Sequence, residues 1–175
     1  MADVNRSVTV TLTADDYAVA NKLFMLDAFR QPSAIALPLL LAVVYAALRL
    51  APAVGDALGE IGSMLEDIVP AVLAVIIGFR LLNYFLLAPR TARATYQKQK
   101  TLHYPCTFSW SESGLKTTST RGEWNTPWSD FFKLVENSQT ILLYQSPKLF
   151  QMLPKRALEQ GQIADILQCA ASLRR

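Results

Sequence analysis

The residue types that most often carry out catalysis are scarce in this chain, and their spacing matches no familiar catalytic arrangement. The 175 residues include one histidine, His103, and two cysteines, Cys106 and Cys169. A nucleophile needs an adjacent base, and no serine has the flanking glycines of a hydrolase elbow. One histidine and two cysteines without a CxxC pair are too few ligands for a zinc site. The sequence therefore predicts a protein that is not an enzyme and has no cofactor or metal, with His103 at a surface.

The charged residues are more informative, because the formal net charge of +3 is unevenly distributed. The stretch 55–67 carries four acids and no Lys or Arg, whereas Arg90, Arg93, Lys98 and Lys100 follow Ala88 without an intervening acid. By the positive-inside rule, these four cations keep their flank in the cytoplasm. Near anionic lipids of the inner leaflet, each also contributes about 1 kcal/mol to membrane binding. Basic and aromatic residues are not interleaved along a face, so nucleic-acid binding is not predicted.

Two long apolar runs, 33–50 and 68–88, lie on either side of the acidic stretch. The first extends from Pro32 to about Ala51, which gives a helix of about 30 Å, the thickness of a bilayer's hydrocarbon core. Pro38 lies inside this run and should loosen or kink the helix. Arg49 lies near its far end, where a long side chain can reach the lipid headgroups. The pattern predicts a two-helix transmembrane hairpin over residues 32–89, with the N and C termini both cytoplasmic.

Arg80 interrupts the second apolar run. A central arginine costs at least about 2.5 kcal/mol and normally faces a polar partner or water. In one interpretation, Arg80 forms a polar face with Asn83 and Tyr84, three and four residues further on, and meets another subunit, an anionic lipid headgroup or a ligand. In the other, the span is shifted toward Ile61 or the bilayer is locally thinned, so that Arg80 marks the cytoplasmic interface. The sequence leaves both open.

The soluble parts lie before and after the hairpin. Residues 1–31 are predicted to form a strand over 7–12 and then a helix that begins with a capping box at Thr13 and Asp16. The apolar stripe of this helix either lies on the membrane surface or packs on the soluble domain. Residues 90–175 show short alternating strands followed by a helical pattern from Pro154, which predicts an antiparallel sheet or small barrel closed by a C-terminal helix. The strands are predicted over 104–110, 115–120, 123–126, 131–136, 140–145 and 149–153.

Several short motifs resemble the YcxB-like proteins of bacteria. They are Asp-Asp-Tyr at 15–17, FSWSESGL at 108–115, WSDFFKLVE at 128–136, ILLY at 141–144 and MLPKRA at 152–157. The resemblance covers nearly the whole chain. It implies a bacterial inner-membrane protein with two spans and a PH-like domain, for which no activity is established.

From these observations we expect a non-enzymatic protein whose cytosolic PH-like domain binds a protein partner, its own copies or anionic lipid. Lys155 and Arg156 are candidate interaction residues of this domain, and Arg80, Asn83 and Tyr84 are candidates in the hairpin. The alternative is a small immunity protein, in which the hairpin and its acidic outer loop engage a membrane-active toxin. The three tryptophans are expected to fill the β core or cover a sheet face. Trp128 is expected to open the strand of the WSDFFKLVE motif and to be buried and structural.

Overall fold

The chain folds into two compact units. The computed structural model describes residues 5–51, 53 and 57–173. The first unit combines the residues up to Phe24 with those from Ala88 onward, and the second runs from Met25 to Leu87. Asp56, in the acidic stretch between the apolar runs, lies outside the described residues. The first unit is therefore discontinuous in sequence, because the second unit is inserted between Phe24 and Ala88.

The strands of the first unit form two antiparallel sheets. The strands are β1 Ser7–Val10, β2 Cys106–Trp110, β3 Gly114–Ser119, β4 Gly122–Pro127, β5 Lys133–Glu136, β6 Thr140–Ser146 and β7 Leu149–Pro154. The first sheet has the order β1-β2-β3-β4 and the second the order β5-β6-β7. β1 is an outer strand that comes from before the predicted hairpin, and it pairs with β2 so that Val10 lies opposite Cys106. The predicted α+β class is confirmed, but in the described part of the chain the strands form two open sheets and no closed barrel.

The three-stranded sheet lies in the middle of this unit, with apolar clusters packed on both of its faces. Side chains alternate between the two faces of a strand, so β6 contributes to both clusters. On one face, Ile141 and Leu143 pack in a core with Trp110 of the four-stranded sheet and Ile166 of the C-terminal helix. That helix, α5, spans Gln160–Cys169 in the chain. On the other face, Leu142, Tyr144 and Met152 pack with Leu12, Ala20 and Leu23. Both faces of β6 are thus buried, which explains its continuous apolar sequence.

Helix α1, Ala14–Phe29, begins with the predicted capping box. The backbone N–H of Asp16 donates to Thr13 Oγ1 at 3.1 Å, and Asp16 Oδ2 accepts from the Thr13 N–H at 2.8 Å. Ala20 and Leu23 are buried against the three-stranded sheet. Of the two fates considered for the apolar stripe, packing on the soluble domain is therefore the one observed for the first half of α1.

The second unit contains two helices that are long and apolar enough to cross a membrane. Helix α2 spans Pro32–Leu50 and helix α3 spans Glu60–Leu82. A π-helical turn, Asn83–Leu87, follows α3, and helix α4, Ala88–Lys98, comes next. Only 6% of the residues in the most apolar window of either helix are buried, so most of these residues keep exposed apolar surface. Helix α3 begins at Glu60, eight residues before the second apolar run, so its first two turns contain the acids Glu60, Glu66 and Asp67.

Candidate functional site

A cleft of about 700 Å³ opens on the first unit. It lies between the start of α1, the turn before β6, the segment after β7 and the start of α5. Its apolar lining comes from Val19, Pro154, Leu158 and Ile163. Because α1 precedes the hairpin and the other walls follow it, the cleft exists only when both parts of the chain are folded together.

Lys155 and Arg156, the candidate interaction residues of the domain, both line this cleft. Lys155 Nζ donates to Glu136 Oε2 at 2.7 Å. Arg156 makes a two-pronged contact with Asp16, from Nε at 2.8 Å and Nη2 at 2.6 Å, and Nη2 also donates to the Thr11 carbonyl at 3.0 Å. Each cation is thus compensated by a carboxylate of the same unit. Their role in binding stays a prediction.

Asp16 is the central charge of this wall, because it caps α1 and also binds Arg156. Burial alone would raise the pKa of Asp16, but the hydrogen bonds from Arg156 and Thr13 outweigh that effect and hold its pKa below the usual range. Asp16 therefore stays ionised at neutral pH. One carboxylate fixes both the start of α1 and its attachment to the C-terminal part of the domain.

A second attachment of the N-terminal segment centres on Asp165 of α5. Arg6 donates to both of its carboxylate oxygens, at 2.9 and 3.0 Å, and Trp110 Nε1 donates to Oδ2 at 2.7 Å. The Arg6 guanidinium, and then Trp110, lower the pKa of Asp165. Gln162 Nε2 also donates to the Asn5 carbonyl at 2.7 Å. These contacts could not be predicted from the sequence, since no local pattern connects residues that are so far apart in the chain.

The tryptophans differ in their environments. Trp128 is buried, as predicted, although it lies in a short 3-10 turn and does not open a strand. Its Nε1 donates to the Ser111 carbonyl at 2.8 Å, which ties the turn after β4 to the turn after β2. Trp110 is buried as well, whereas Trp124 on the outer strand β4 is 53% exposed. Two of the three tryptophans therefore hold the core.

Gly114 explains part of the first β motif. A Cβ at this position would overlap the carbonyl oxygen of Thr126 on the paired strand. Trp128 also donates its backbone N–H to the Ser113 carbonyl at 3.3 Å. The motifs at 108–115 and 128–136 therefore interlock through the Gly114 strand pairing and the Trp128 hydrogen bonds.

In the second unit, Arg80 of α3 contacts helix α2. Its Nη2 donates a short hydrogen bond to the carbonyl oxygen of Ala34, and its guanidinium lies 5.4 Å from the centre of the Phe29 ring. Asn83 and Tyr84 follow in the π-helical turn, where the Tyr84 ring packs edge-on against Phe85. A polar backbone group of its own hairpin is thus one partner of Arg80. Whether these three residues also meet another molecule stays a prediction.

The four cations after the hairpin are exposed, and Arg93 has a carboxylate partner. Arg93 Nη2 lies 2.9 Å from Asp15 Oδ1, and both side chains are largely in solvent. Such a pair is worth at most about 1 kcal/mol and leaves the cation accessible. Arg90, Lys98 and Lys100 are also exposed, so all four can meet an anionic surface. In the ranges that the structure describes, no cluster of His, Cys, Asp or Glu could hold a metal ion.

Comparison with known protein families gives a match over the β domain. Residues 110–170 match the model of the family described as YcxB-like protein. This segment runs from the end of β2 to just past the end of α5 and includes the interlocked Trp128 turn. The YcxB-like resemblance is confirmed for this part of the chain. No curated protein and no solved structure matches the chain significantly.

Proposed function

We propose that this chain is a non-enzymatic inner-membrane protein that presents a cytosolic PH-like domain to a protein partner. The observation that carries the proposal is the cleft beside Lys155 and Arg156, which is built from segments on both sides of the hairpin. Such a cleft joins a binding surface to a membrane anchor within one fold. The partner's identity does not follow from the fold.

The PH-like assignment draws support from the strand arrangement. The strands of the described residues form a four-stranded and a three-stranded antiparallel sheet, and a helix after the last strand closes the core. The hairpin is inserted between β1 and β2. The β domain that follows the hairpin lacks its first strand until the N-terminal segment joins it.

The pairing of β1 with β2 also bears on topology. Two strands can form a ladder only when they are in the same compartment, and β1 and β2 lie on opposite sides of the hairpin in sequence. A chain that spans the membrane must therefore cross it an even number of times between Val10 and Cys106. Two spans satisfy this condition. The cations after Leu87 favour the cytoplasm as the shared side.

The chemistry of the cleft favours a protein partner over a lipid headgroup. Glu136 and Asp16 compensate the two cations of the cleft, so an anion would have to compete with bonds already made. Uncharged side chains, Ser138, Gln139 and Gln160, line it together with the apolar residues. Apolar surface with a few neutral hydrogen-bonding groups suits an apolar side chain of a peptide segment.

Site-specific photo-crosslinking in native membranes tests the proposal. A benzophenone amino acid replaces Gln160 at the cleft, and the matched control replaces Asn125, which is exposed on β4. We expect the Gln160 position to give a protein adduct that the Asn125 position does not give. An added mass of 19.4 kDa would identify a second copy. Identical adducts at both positions, adducts with lipid alone, or no adduct from Gln160 would refute a protein partner at the cleft.

A further inference from the structure

The two helices of the hairpin are connected by polar contacts near both ends. At one end Arg49 Nη1 lies 3.3 Å from Glu66 Oε2. At the other, Arg80 donates to the Ala34 carbonyl. From Glu66 to Arg80 the helix rises about 21 Å, which is well short of the roughly 30 Å of a hydrocarbon core. A bilayer cannot have both contacts at its two boundaries unless it is strongly thinned.

The exposed apolar surface continues past Arg80. Leu81 is 52% exposed and Phe85 is 61% exposed, and Leu82, Leu86 and Leu87 are exposed as well. The next cation in the sequence is Arg90. Measured from Glu66 along the helix, about 30 Å of rise ends near Leu86. The end of the exposed apolar surface therefore matches the thickness of a bilayer.

We propose that the acyl chains of the inner leaflet cover this surface up to Leu87, and that Arg80 lies inside the hydrocarbon, about 10 Å from its inner edge. The proposal rests on the membrane location proposed above, but not on any partner of the cleft. The lipid contact is continuous with that of the two spans. An inner boundary at Leu87 places the second span where the apolar run 68–88 predicts it, and not in a register shifted toward Ile61.

Pro38 explains how an arginine is held at this depth. In an α-helix, the carbonyl of residue 34 accepts from the N–H of residue 38, and proline has no N–H. Ala34 thus offers a carbonyl without its usual helical donor. The Arg80 guanidinium takes the place of that donor, and the Phe29 ring lies beside its charge. Arg80 is a positioning residue that joins the two spans.

Depth measurements test where the lipid ends. The full-length chain, with Cys106→Ser and Cys169→Ser, carries an environment-sensitive fluorophore on a single new cysteine that replaces Phe85 or, as control, Lys98. The protein is reconstituted into vesicles of phosphatidylcholine and phosphatidylglycerol. We expect nitroxides on the acyl chains to quench the label at Phe85, and aqueous iodide to quench the label at Lys98. Equal quenching of both labels by iodide would overturn the proposed boundary.

A double substitution tests the role of Arg80. Arg80→Gln is made in the natural chain and in a Pro38→Ala chain, where residue 38 regains its N–H. Separation of the two spans is followed by energy transfer during titration with dodecyl sulfate. In the natural chain, we expect Arg80→Gln to shift the equilibrium about tenfold toward separation, and in the Pro38→Ala chain about threefold or less. Equal shifts in the two backgrounds would refute the pairing with the proline-freed carbonyl, and Arg80→Lys should restore part of the loss.

Discussion

Removing the contact between Arg156 and Asp16 should loosen the start of α1 from the C-terminal half of the domain. The changes are Arg156→Gln, Asp16→Asn and the two together. Each single change also removes other bonds, because Asp16 accepts from Thr13 and Arg156 donates to Thr11. The energy specific to the pair is therefore the coupling in a double-mutant cycle, and not either single effect.

The exposure of the two side chains sets the size of this coupling. The Asp16 side chain is 11% exposed and the Arg156 side chain is 50% exposed. Fully exposed pairs contribute about 0.2–1 kcal/mol, and charged hydrogen bonds in general contribute about 1.5–3 kcal/mol. Because one partner is half in solvent, we expect a coupling of about 1 kcal/mol in the free energy of unfolding.

The assay is urea unfolding of the full-length protein in mild detergent, followed by tryptophan fluorescence. All three tryptophans belong to the first unit, so the signal reports on the β domain and not on the hairpin. The folded pKa of Asp16 is lowered, so its contribution is fully present above the ordinary value of 3.8 and is lost as the pH falls below it. Asp16→Asn should reduce the acid sensitivity of stability in that window. Additive single effects, or unchanged acid sensitivity, would show that the pair does not act as described.

Three further predictions concern the first unit. Gly114→Ala should destabilise the domain by about 1–3 kcal/mol, because the new Cβ would overlap a carbonyl of the paired strand. The control Gly161→Ala, which lies in open space at the start of a helix, should be neutral or stabilising. Equal urea midpoints for the two variants would contradict this. Trp128→Phe should lower the free energy of unfolding by at least about 1 kcal/mol, because the Ser111 carbonyl loses its donor. Trp124 is exposed, so Trp124→Phe should change it by less than about 0.5 kcal/mol. The same urea titration measures both effects. Burial raises the pKa of the Cys106 thiol, so we expect slow iodoacetamide labelling at about pH 8 that accelerates in urea; equal rates in the folded and unfolded states would refute this.

Local patterns were enough to predict most elements. Hydrophobic patterning predicts the strands within about two residues of their observed bounds. An example is Cys106–Trp110, where Phe108 and Trp110 are buried on the same face of the strand. The capping box at Thr13 and Asp16 forms as the sequence indicates. Trp128 was expected to open a strand, yet it lies in a 3-10 turn, since its backbone and ring both bond to the turn before Gly114.

Long-range relationships could not be predicted in this way. From the sequence, β1 and α1 were predicted as a separate N-terminal segment, because nothing in residues 1–31 indicates a pairing with Cys106–Trp110. Lys155 and Arg156 were predicted as interaction residues. Their carboxylate partners could not be predicted, because these are distant in sequence or on another strand. The sequence indicates that Arg80 needs a polar partner, but the carbonyl of Ala34 was not among the partners considered. The sequence does not say that this carbonyl lies beside Arg80.

The position of β1 ahead of the hairpin has a consequence for how the chain is made. Val10 pairs with Cys106, about 96 residues later, so at roughly 5–20 residues per second β1 waits about 5–20 seconds for β2 to be synthesised. In the topology proposed above, the translocation machinery handles both spans during that wait. A chain in which only one span crossed would hold β1 and β2 in different compartments, and its sheet could never close. In that topology, a folded β domain shows that both spans have been inserted, and proteases that remove unfolded proteins would act on the chains whose domains stay open.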